Sequence, residues 1–178
     1  MCGADVSREL PGLEGLDHVG LTVPNLDEAV EFYSELLQAQ EIFRLGPFDS
    51  RDLPNVDDKD WSQAHVNVSD ARFTLAMLEL RNGSRVELFQ YDRPTERNSV
   101  PPRNCDIGGH HIAFKVTDLD KVLSVGGELG LTFMAGPISI DEGPAAGQRI
   151  IYVLDPWGNQ LELVEYKRAQ AQNGEKIE

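Results

Sequence analysis

Two histidines and two glutamates recur at matching positions along this chain of 178 residues. His18 opens the segment His-Val-Gly-Leu-Thr-Val, and His111 opens His-Ile-Ala-Phe-Lys-Val after an offset of 93 positions (111 − 18). Glu87, within Val-Glu-Leu-Phe, and Glu162, within Leu-Glu-Leu-Val, stand near the end of each repeat. Imidazole and carboxylate groups together bind divalent transition metals. The pattern therefore predicts one metal ion held by His18, Glu87, His111 and Glu162, two ligands from each half.

Hydrophobic alternation predicts that these four side chains lie on the strand face opposite the apolar residues that pack against a helix. In the predicted strands 16–23 and 109–116 every second residue near the histidine is apolar and faces a helix, so the histidine lies on the opposite face. Glu87 and Glu162 each stand between apolar neighbours. A single strand histidine is most often structural, but a carboxylate in apolar surroundings must be paired or bound. Repetition of both residues at matched places favours the metal site over a structural role.

The elements that must position these residues follow the same plan in two tandem modules. Strand alternation, helical spacing of apolar residues and turn residues predict a β-α-β-β-β order for each module. We expect an α+β protein whose two modules form a cupped, pseudo-two-fold mixed sheet around the metal site. The predicted divisions are an N-terminal tail at 1–14, module one at 15–92, a linker at 93–107, module two at 108–166 and a polar C-terminal tail at 167–178.

Local signals place the boundaries of these elements. Asp27 is the predicted N-cap of the first helix, and Gly130 marks the end of a second helix predicted over 118–129. The segment 46–64 is predicted as a loop, either a lid over a site or an ornament. The predicted strands are 16–23, 42–45, 72–80 and 84–91 in module one, and 109–116, 131–135, 148–154 and 159–166 in module two.

The charge balance limits the classes of partner. Lys and Arg number 16 against 30 Asp and Glu, a formal net charge of −14 at pH 7. Such a field repels phosphate backbones, so we expect no nucleic-acid partner, and it disfavours a polyanionic CoA thioester. No apolar run approaches the ~20 residues of a membrane span, and the first ten residues lack the plan of a secretory signal. With only two cysteines, we expect a cytoplasmic protein that has no disulfide framework and does not bind membranes.

Two further histidines are not expected to be ligands. His110 is out of phase with His111, and its counterpart in module one is Asp17. His65 precedes a strand in the acidic loop and is expected at the surface or at the rim of a pocket. These two side chains therefore stay outside the predicted metal site.

Three segments of the chain carry a resemblance to a known family. They are Leu16-Asp-His-Val-Gly-Leu-Thr-Val-Pro-Asn-Leu-Asp-Glu-Ala, Gly109-His-His-Ile-Ala-Phe-Lys-Val-Thr-Asp-Leu-Asp and Asp155-Pro-Trp-Gly-Asn-Gln-Leu-Glu-Leu-Val-Glu. Through them the chain resembles the vicinal oxygen chelate superfamily, which includes glyoxalase I, methylmalonyl-CoA epimerase, extradiol dioxygenases and fosfomycin-resistance proteins. Members of this kind take one metal ligand from the first strand and one from the last strand of each module. The resemblance thus implies the same four ligands that the repeat predicts.

The presence of Glu87 implies a branch within that superfamily. Extradiol dioxygenases and fosfomycin-resistance proteins use two histidines and one carboxylate, whereas four protein ligands resemble glyoxalase I and the epimerases. A four-ligand octahedral site leaves two adjacent positions for the oxygens of a hydroxy-ketone. The implied reaction is proton abstraction beside a carbonyl, with the metal as Lewis acid and Glu87 and Glu162 as catalytic bases. Zinc is the expected metal, and nickel, cobalt, manganese and iron suit the same ligands.

Substrate expectations rest on the resemblance and on the charge. The segments Val86–Pro94 and Gly143–Arg149 resemble a bacterial branch that includes cyclitol (valiolone-type) epimerases, and the acidic balance suits an uncharged polyol ketone. We expect a homodimeric, metal-dependent epimerase or isomerase acting on a small hydroxylated, sugar- or cyclitol-like ketone. Open alternatives are a glyoxalase I-like lyase, a methylmalonyl-CoA epimerase-like enzyme, an iron(II) extradiol-type dioxygenase and a non-catalytic protein that binds a small molecule.

Overall fold

The structure, a computed structural model, describes residues 10–166 of the chain. The chain divides between Glu96 and Arg97, inside the predicted linker, into two units that each have their own mixed β-sheet. Residues 1–9 of the predicted N-terminal tail and the whole predicted C-terminal tail lie outside the described residues. The sheets and a few short helices confirm the predicted α+β class. No helix within residues 10–166 is long and apolar enough to cross a membrane.

The first unit follows the predicted order with one helix added. Its elements are β1 (Val19–Thr22), α1 (Leu26–Leu37), β2 (Gln40–Asp49), a 3-10 turn (Ser50–Asp52), α2 (Trp61–Val66), β3 (Arg72–Glu79) and β4 (Arg85–Arg93). The strands lie in the order β1-β4-β3-β2, with β1 parallel to β4 and the other neighbours antiparallel. This order makes neighbours of the strand that follows His18 and the strand that contains Glu87.

Helix α1 begins where Asn25 caps it. The Asn25 side chain accepts hydrogen bonds from the backbone N–H groups of Asp27 and Glu28, two donors that a helix start leaves without a partner. The prediction of Asp27 as the N-cap was wrong, because Asp27 lies in the first turn while Asn25 has the extended backbone of a cap. The helix ends at Leu37 and is followed by the C-cap Gln38, whose backbone is left-handed at φ 51°.

The core of the first unit lies between α1 and one face of the sheet. Ala29 and Tyr33 on α1 are fully buried, as is Leu88 on β4. On β1, Leu21 is buried and Gly20 is exposed, so the predicted alternation is confirmed. Burial of a leucine side chain stabilises a fold by about 1.5–3 kcal/mol, which fixes the orientation of the strand. The opposite face of the sheet, turned away from α1, carries the predicted ligands.

The second unit repeats the plan with a divided edge strand. Its elements are β5 (Ile112–Val116), α3 (Leu119–Ser124), a 3-10 turn (Gly126–Glu128), β6 (Thr132–Phe133), β7 (Ile138–Ile140), β8 (Gln148–Leu154) and β9 (Gln160–Tyr166). The strand order is β5-β9-β8-β6, and β7 also pairs with β8. Here too the first strand, β5, is parallel to the last, β9.

Edge strands differ from their predicted extents. In the first unit β2 covers 40–49 rather than 42–45, and in the second unit β7 was not predicted. Each edge contains a Gly-Pro pair, Gly46-Pro47 within β2 and Gly136-Pro137 between β6 and β7. Proline has no N–H for a ladder and is therefore tolerated at sheet edges. The repeat thus includes the edge strand, which is continuous as β2 in the first unit and divided into β6 and β7 in the second.

The helix predicted over 118–129 is shorter in the structure. Helix α3 ends at Ser124, and a 3-10 turn follows at Gly126–Glu128. Two consecutive glycines open that turn, and each would cost about 1 kcal/mol relative to alanine inside a helix. Backbone entropy therefore explains the early end.

The segment predicted as a loop over 46–64 contains helical and strand structure that was not predicted. It includes the end of β2, a 3-10 turn and the start of α2. The Asp60 side chain caps α2 by accepting hydrogen bonds from the N–H groups of Ser62 and Gln63. Ser62 is buried, and its hydroxyl accepts a hydrogen bond from the Ala71 N–H at 3.0 Å. These contacts tie α2 to the chain that leads into β3.

A tether between the last strand and the helix is duplicated as well. The Gln90 side chain on β4 accepts a hydrogen bond from the Leu26 N–H at 2.7 Å. In the second unit the Glu165 side chain on β9 accepts one from the Leu119 N–H at 3.4 Å. Each tether holds the start of the unit's helix against the strand that carries the predicted glutamate ligand, Glu87 or Glu162.

Candidate functional site

The first unit brings His18 and Glu87 together. His18 directly precedes β1, and Glu87 on β4 pairs with Gly20, two residues further along β1. Because strand side chains alternate between faces, both residues lie on the face turned away from α1. His18 Nε2 is 3.2 Å from Glu87 Oε2, with side chains 38% and 15% exposed.

The second unit repeats this pair with His111 and Glu162. His111 directly precedes β5, and Glu162 on β9 pairs with Ala113, again two residues after the histidine. His111 Nε2 is 3.0 Å from Glu162 Oε2, with side chains 34% and 12% exposed. The four predicted ligands thus form two His–Glu pairs, one in each unit. Within residues 10–166, no three His, Cys, Asp or Glu side chains form a metal-binding group.

The second ring nitrogen of each histidine also meets an oxygen. His18 Nδ1 is 2.7 Å from the Asp17 carboxylate, and His111 Nδ1 is 3.2 Å from the Asn104 amide oxygen. The hydrogen bond with His18 is the main cause that lowers the pKa of Asp17. With these oxygens as acceptors, the ring proton lies on each Nδ1. Each Nε2 then directs its lone pair towards a glutamate oxygen.

This arrangement tests whether the pairs suit a cation. A neutral imidazole protonated on Nδ1 presents a lone pair at Nε2, which a carboxylate oxygen about 3 Å away would repel. Either a second ring proton or a cation must therefore lie between the nitrogen and the oxygen of each pair. Ligands bound side by side at the 2.0–2.2 Å of Zn–N and Zn–O bonds are about 3 Å apart, so the nitrogen and oxygen within each pair have a spacing that suits a divalent ion.

Tyr152 and Met77 occupy equivalent places beside the two glutamates. On β8, Tyr152 pairs directly with Glu162, and its ring meets the His111 ring edge-on at 5.3 Å. On β3, Met77 pairs with Glu87 and is buried. Burial, and secondarily the charge of Glu162, raises the pKa of the Tyr152 phenol. Sequence reasoning missed Tyr152, although the turn after β8 gives the hairpin register that places it.

An aromatic wall extends from Glu87 along the same face of the first unit's sheet. Side chains on β4 alternate, so Phe89 and Tyr91 share the face of Glu87. Phe73, their neighbour on β3, lies 5.2 Å from the Tyr91 ring and 5.9 Å from the Phe89 ring. Burial, with a smaller contribution from the charge of Glu87, raises the pKa of Tyr91. The wall consists of Phe48, Trp61, Phe73, Phe89 and Tyr91.

The 46–64 segment supplies the far end of the aromatic wall. Trp61, the first residue of α2, stacks on Phe48 with ring centroids 6.1 Å apart and an angle of 18° between the planes. His65 lies against Trp61 at 4.8 Å and is exposed, and His110 is also exposed. The segment therefore adds an aromatic boundary to the sheet face that carries Glu87.

An ionic clamp holds this segment to the sheet. Arg93 at the end of β4 donates to Asp49 at 2.6 Å, and Arg51 donates to both carboxylate oxygens of Asp70 at 2.7 Å. Hydrogen bonds from Arg93 and Arg51 hold the pKa values of Asp49 and Asp70 below the usual range. The clamp joins β2, the 3-10 turn and the start of β3.

Comparisons with known proteins find relatives in sequence and in fold. A curated 2-epi-5-epi-valiolone epimerase from Actinomyces sp is 38% identical over 159 residues, covering 88% of this chain and 82% of that protein. A glyoxalase family protein from Bacillus cereus has a similar fold, with a TM-score of 0.65, 22% identity and coverage of 87% and 95% of the two chains. The fosfomycin resistance protein FosX from Listeria monocytogenes, solved with Mn(II) and sulfate, aligns with a TM-score of 0.52, 18% identity and coverage of 88% and 95%.

A family comparison agrees with the resemblance carried by the three sequence segments. Residues 17–152 match the Glyoxalase/Bleomycin resistance protein/Dioxygenase superfamily. That range includes the first His–Glu pair and the histidine of the second. The chain therefore belongs to this superfamily, the vicinal oxygen chelate superfamily.

Proposed function

We propose that this protein is a metal-dependent epimerase that inverts a carbon beside the carbonyl of a small hydroxylated ketone. One observation carries the proposal: each unit presents a histidine Nε2 and a glutamate oxygen about 3 Å apart on equivalent strands. The relative that is 38% identical is named as an epimerase, which supports an enzyme of this class. Its name specifies 2-epi-5-epi-valiolone, so that ketone is the first substrate to test.

Both His–Glu pairs would serve as ligands of one divalent cation. Two imidazoles and two carboxylates suit zinc, nickel, cobalt, manganese or iron, and zinc is the first metal to test. Asp17 and Asn104 would keep each Nδ1 protonated and each Nε2 available. When bound, such a cation would stabilise the negative charge that develops on the carbonyl oxygen.

The two glutamates would move the proton. Glu162 accepts it from the carbon beside the carbonyl, and the electron pair of the broken C–H bond passes to the carbonyl oxygen as an enolate. Glu87 returns a proton, taken up from solvent, to the opposite face, so the carbon is inverted. Exchange of both carboxyl groups with solvent then restores the starting state. Positioned acid–base groups of this kind typically contribute 10²–10⁴-fold in rate.

The surroundings of Glu87 support a ring-shaped, uncharged substrate. The aromatic wall offers apolar ring faces, on which the C–H face of a cyclitol or sugar ring can pack. The net charge of −14 disfavours a polyanionic ligand such as a CoA thioester. A neutral cyclitol ketone satisfies both conditions.

Substitution Glu162→Gln tests the proposed base. With zinc and 2-epi-5-epi-valiolone in D₂O, the wild type should introduce deuterium beside the carbonyl. The variant should lose at least about 10²-fold in this exchange, because the amide cannot accept the proton. NMR of the recovered ketone measures the exchange, and circular dichroism checks the fold.

Glu165→Gln is the matched control for this substitution. Glu165 lies on the same strand, and its amide replacement keeps an acceptor for the Leu119 N–H, so exchange should continue. Unchanged exchange in Glu162→Gln would refute the assigned base. Oxygen uptake by the iron(II)-loaded wild type would point to a dioxygenase, and ketone binding without exchange would point to a binding protein.

A further inference from the structure

The ring of Tyr152 lies beside the second His–Glu pair. Its strand position is directly opposite Glu162, and its ring stands perpendicular to His111 at 5.3 Å. The strand register and the ring contact with His111 thus place this phenol beside the second pair. A phenol held beside a reacting carboxylate is well placed to contact whatever that carboxylate acts on.

The Tyr152 hydroxyl has no hydrogen-bond partner among residues 10–166. It is not sealed inside the protein either, because Ser50 Oγ is the buried, unpartnered side-chain polar atom of the described residues. The phenol hydroxyl is therefore open to solvent. A ligand that covers it must supply a hydrogen-bonding group or leave a polar group unpaired, at a cost in affinity.

Comparison with the first unit indicates that the Tyr152 hydroxyl is not needed to hold a His–Glu pair. Histidine, glutamate and the helix tether are duplicated, whereas the residue opposite Glu87 is the apolar Met77. If an aromatic hydroxyl were needed to hold a His–Glu pair, the first unit would lack a required part. The Tyr152 hydroxyl therefore has a role that only one half of the protein performs.

We propose that Tyr152 determines specificity by donating a hydrogen bond to a hydroxyl group of the substrate next to the carbon from which Glu162 takes the proton. This inference rests on the proposed function for its reaction, but it names the substrate class: ketones with a hydroxyl adjacent to the reacting carbon. Ketones that lack this hydroxyl would leave the phenol unpaired and bind less well.

Substitution Tyr152→Phe removes the hydroxyl and keeps the ring. The dissociation constant of 2-epi-5-epi-valiolone is measured by calorimetry on the zinc-loaded protein, together with zinc affinity and deuterium exchange. We expect ketone binding to weaken about ten- to hundredfold, because the substrate hydroxyl loses its partner. Zinc affinity and the exchange rate at saturating ketone should stay within about threefold of wild type.

Tyr166→Phe is the matched control. Tyr166 lies further along β9 with Lys115 over its ring at 5.0 Å, a contact that phenylalanine keeps. This variant should bind the ketone like the wild type. Tyr152→Met, which copies the first unit, should weaken binding as much as Tyr152→Phe.

Three results would overturn the inference. They are equal ketone binding by wild type and Tyr152→Phe, a loss of zinc affinity that accounts for the weaker binding, or no ketone binding by the zinc-loaded wild type. Ketone binding that depends on Tyr152 in a wild type without deuterium exchange would support the inference and refute the proposed epimerase. Deuterium exchange by the wild type, together with unchanged ketone binding in Tyr152→Phe, would support the proposed epimerase and refute the inference about Tyr152.

Discussion

Each histidine of the two pairs has a different partner at Nδ1. His18 faces the carboxylate of Asp17, whereas His111 faces the neutral amide of Asn104. A carboxylate partner makes an imidazole a stronger base and a stronger metal ligand than an amide does. At the scale of single residues, the two pairs therefore share their residue types and differ in the partner of the histidine Nδ1.

The substitution Asp17→Asn tests whether the charged partner of His18 Nδ1 increases zinc affinity. The variant keeps an acceptor for His18 Nδ1 but loses the charge, so zinc affinity should fall about tenfold or more. Competition with a chromophoric chelator gives the affinity. The control is Asp58→Asn, the same change at an exposed site in a tight turn, which should bind zinc like the wild type. An affinity equal to wild type in Asp17→Asn would contradict a metal role for His18.

The sequence predicted His18, Glu87, His111 and Glu162 because a repeat is visible without any knowledge of the fold. It did not predict Tyr152 or its counterpart, since their roles depend on which residue of one strand lies opposite which residue of the next. Asn104 was missed for a similar reason: it lies in a loop, and only the folded chain brings its amide to His111. The sequence repeat identified the four candidate ligands, and the register of the strands identified their neighbours.

At the scale of elements, the ionic clamp should make the 46–64 segment sensitive to acid. Asp49 has a lowered pKa because Arg93 donates to it, so its contribution to stability is complete above its ordinary value of 3.8. That contribution is lost as the pH falls through the lowered pKa. The wild type should therefore melt at a higher temperature than Asp49→Asn at pH 7, and the difference should shrink below about pH 4.

Differential scanning calorimetry between neutral and acidic pH measures that difference. Asn at position 49 keeps the acceptor for the Arg51 N–H, so the comparison isolates the charge. Asp52→Asn, an exposed change in the same 3-10 turn, should follow the wild type throughout. A gap between wild type and Asp49→Asn that does not narrow in acid would exclude the clamp as its source.

Elements with strong periodicity were predicted, whereas helix α2 and strand β7 were not. The strands that carry Glu87 and Glu162 have clear alternation, which the structure confirms. Helix α2 has six residues and begins at Trp61 inside an acidic stretch, too short for a helical period to be visible. Its packing uses contacts with Phe48 and Ala71, which lie outside the helix.

At the scale of the whole molecule, the net charge of −14 should give neutral and anionic substrates a different dependence of turnover on salt. Turnover of a neutral cyclitol ketone, expressed as kcat/KM, should change by less than about twofold between roughly 20 mM and 500 mM salt. A phosphate ester of the same ketone should react poorly at low salt and improve as salt screens the repulsion. Initial rates of deuterium exchange measure both. Preference for the ester at low salt would indicate a local basic patch strong enough to reverse the overall field.

Duplication of the tether has an evolutionary consequence. Each unit holds its own glutamate strand against its own helix through Gln90 or Glu165, so neither borrows this bond from the other. An ancestral gene encoding one such half would already have specified a complete donor pair, and fusion of two copies would have doubled it. Afterwards one copy could acquire a phenol and the other an aromatic surface without loss of the inherited scaffold. Asymmetric chemistry can thus arise late on a symmetric frame.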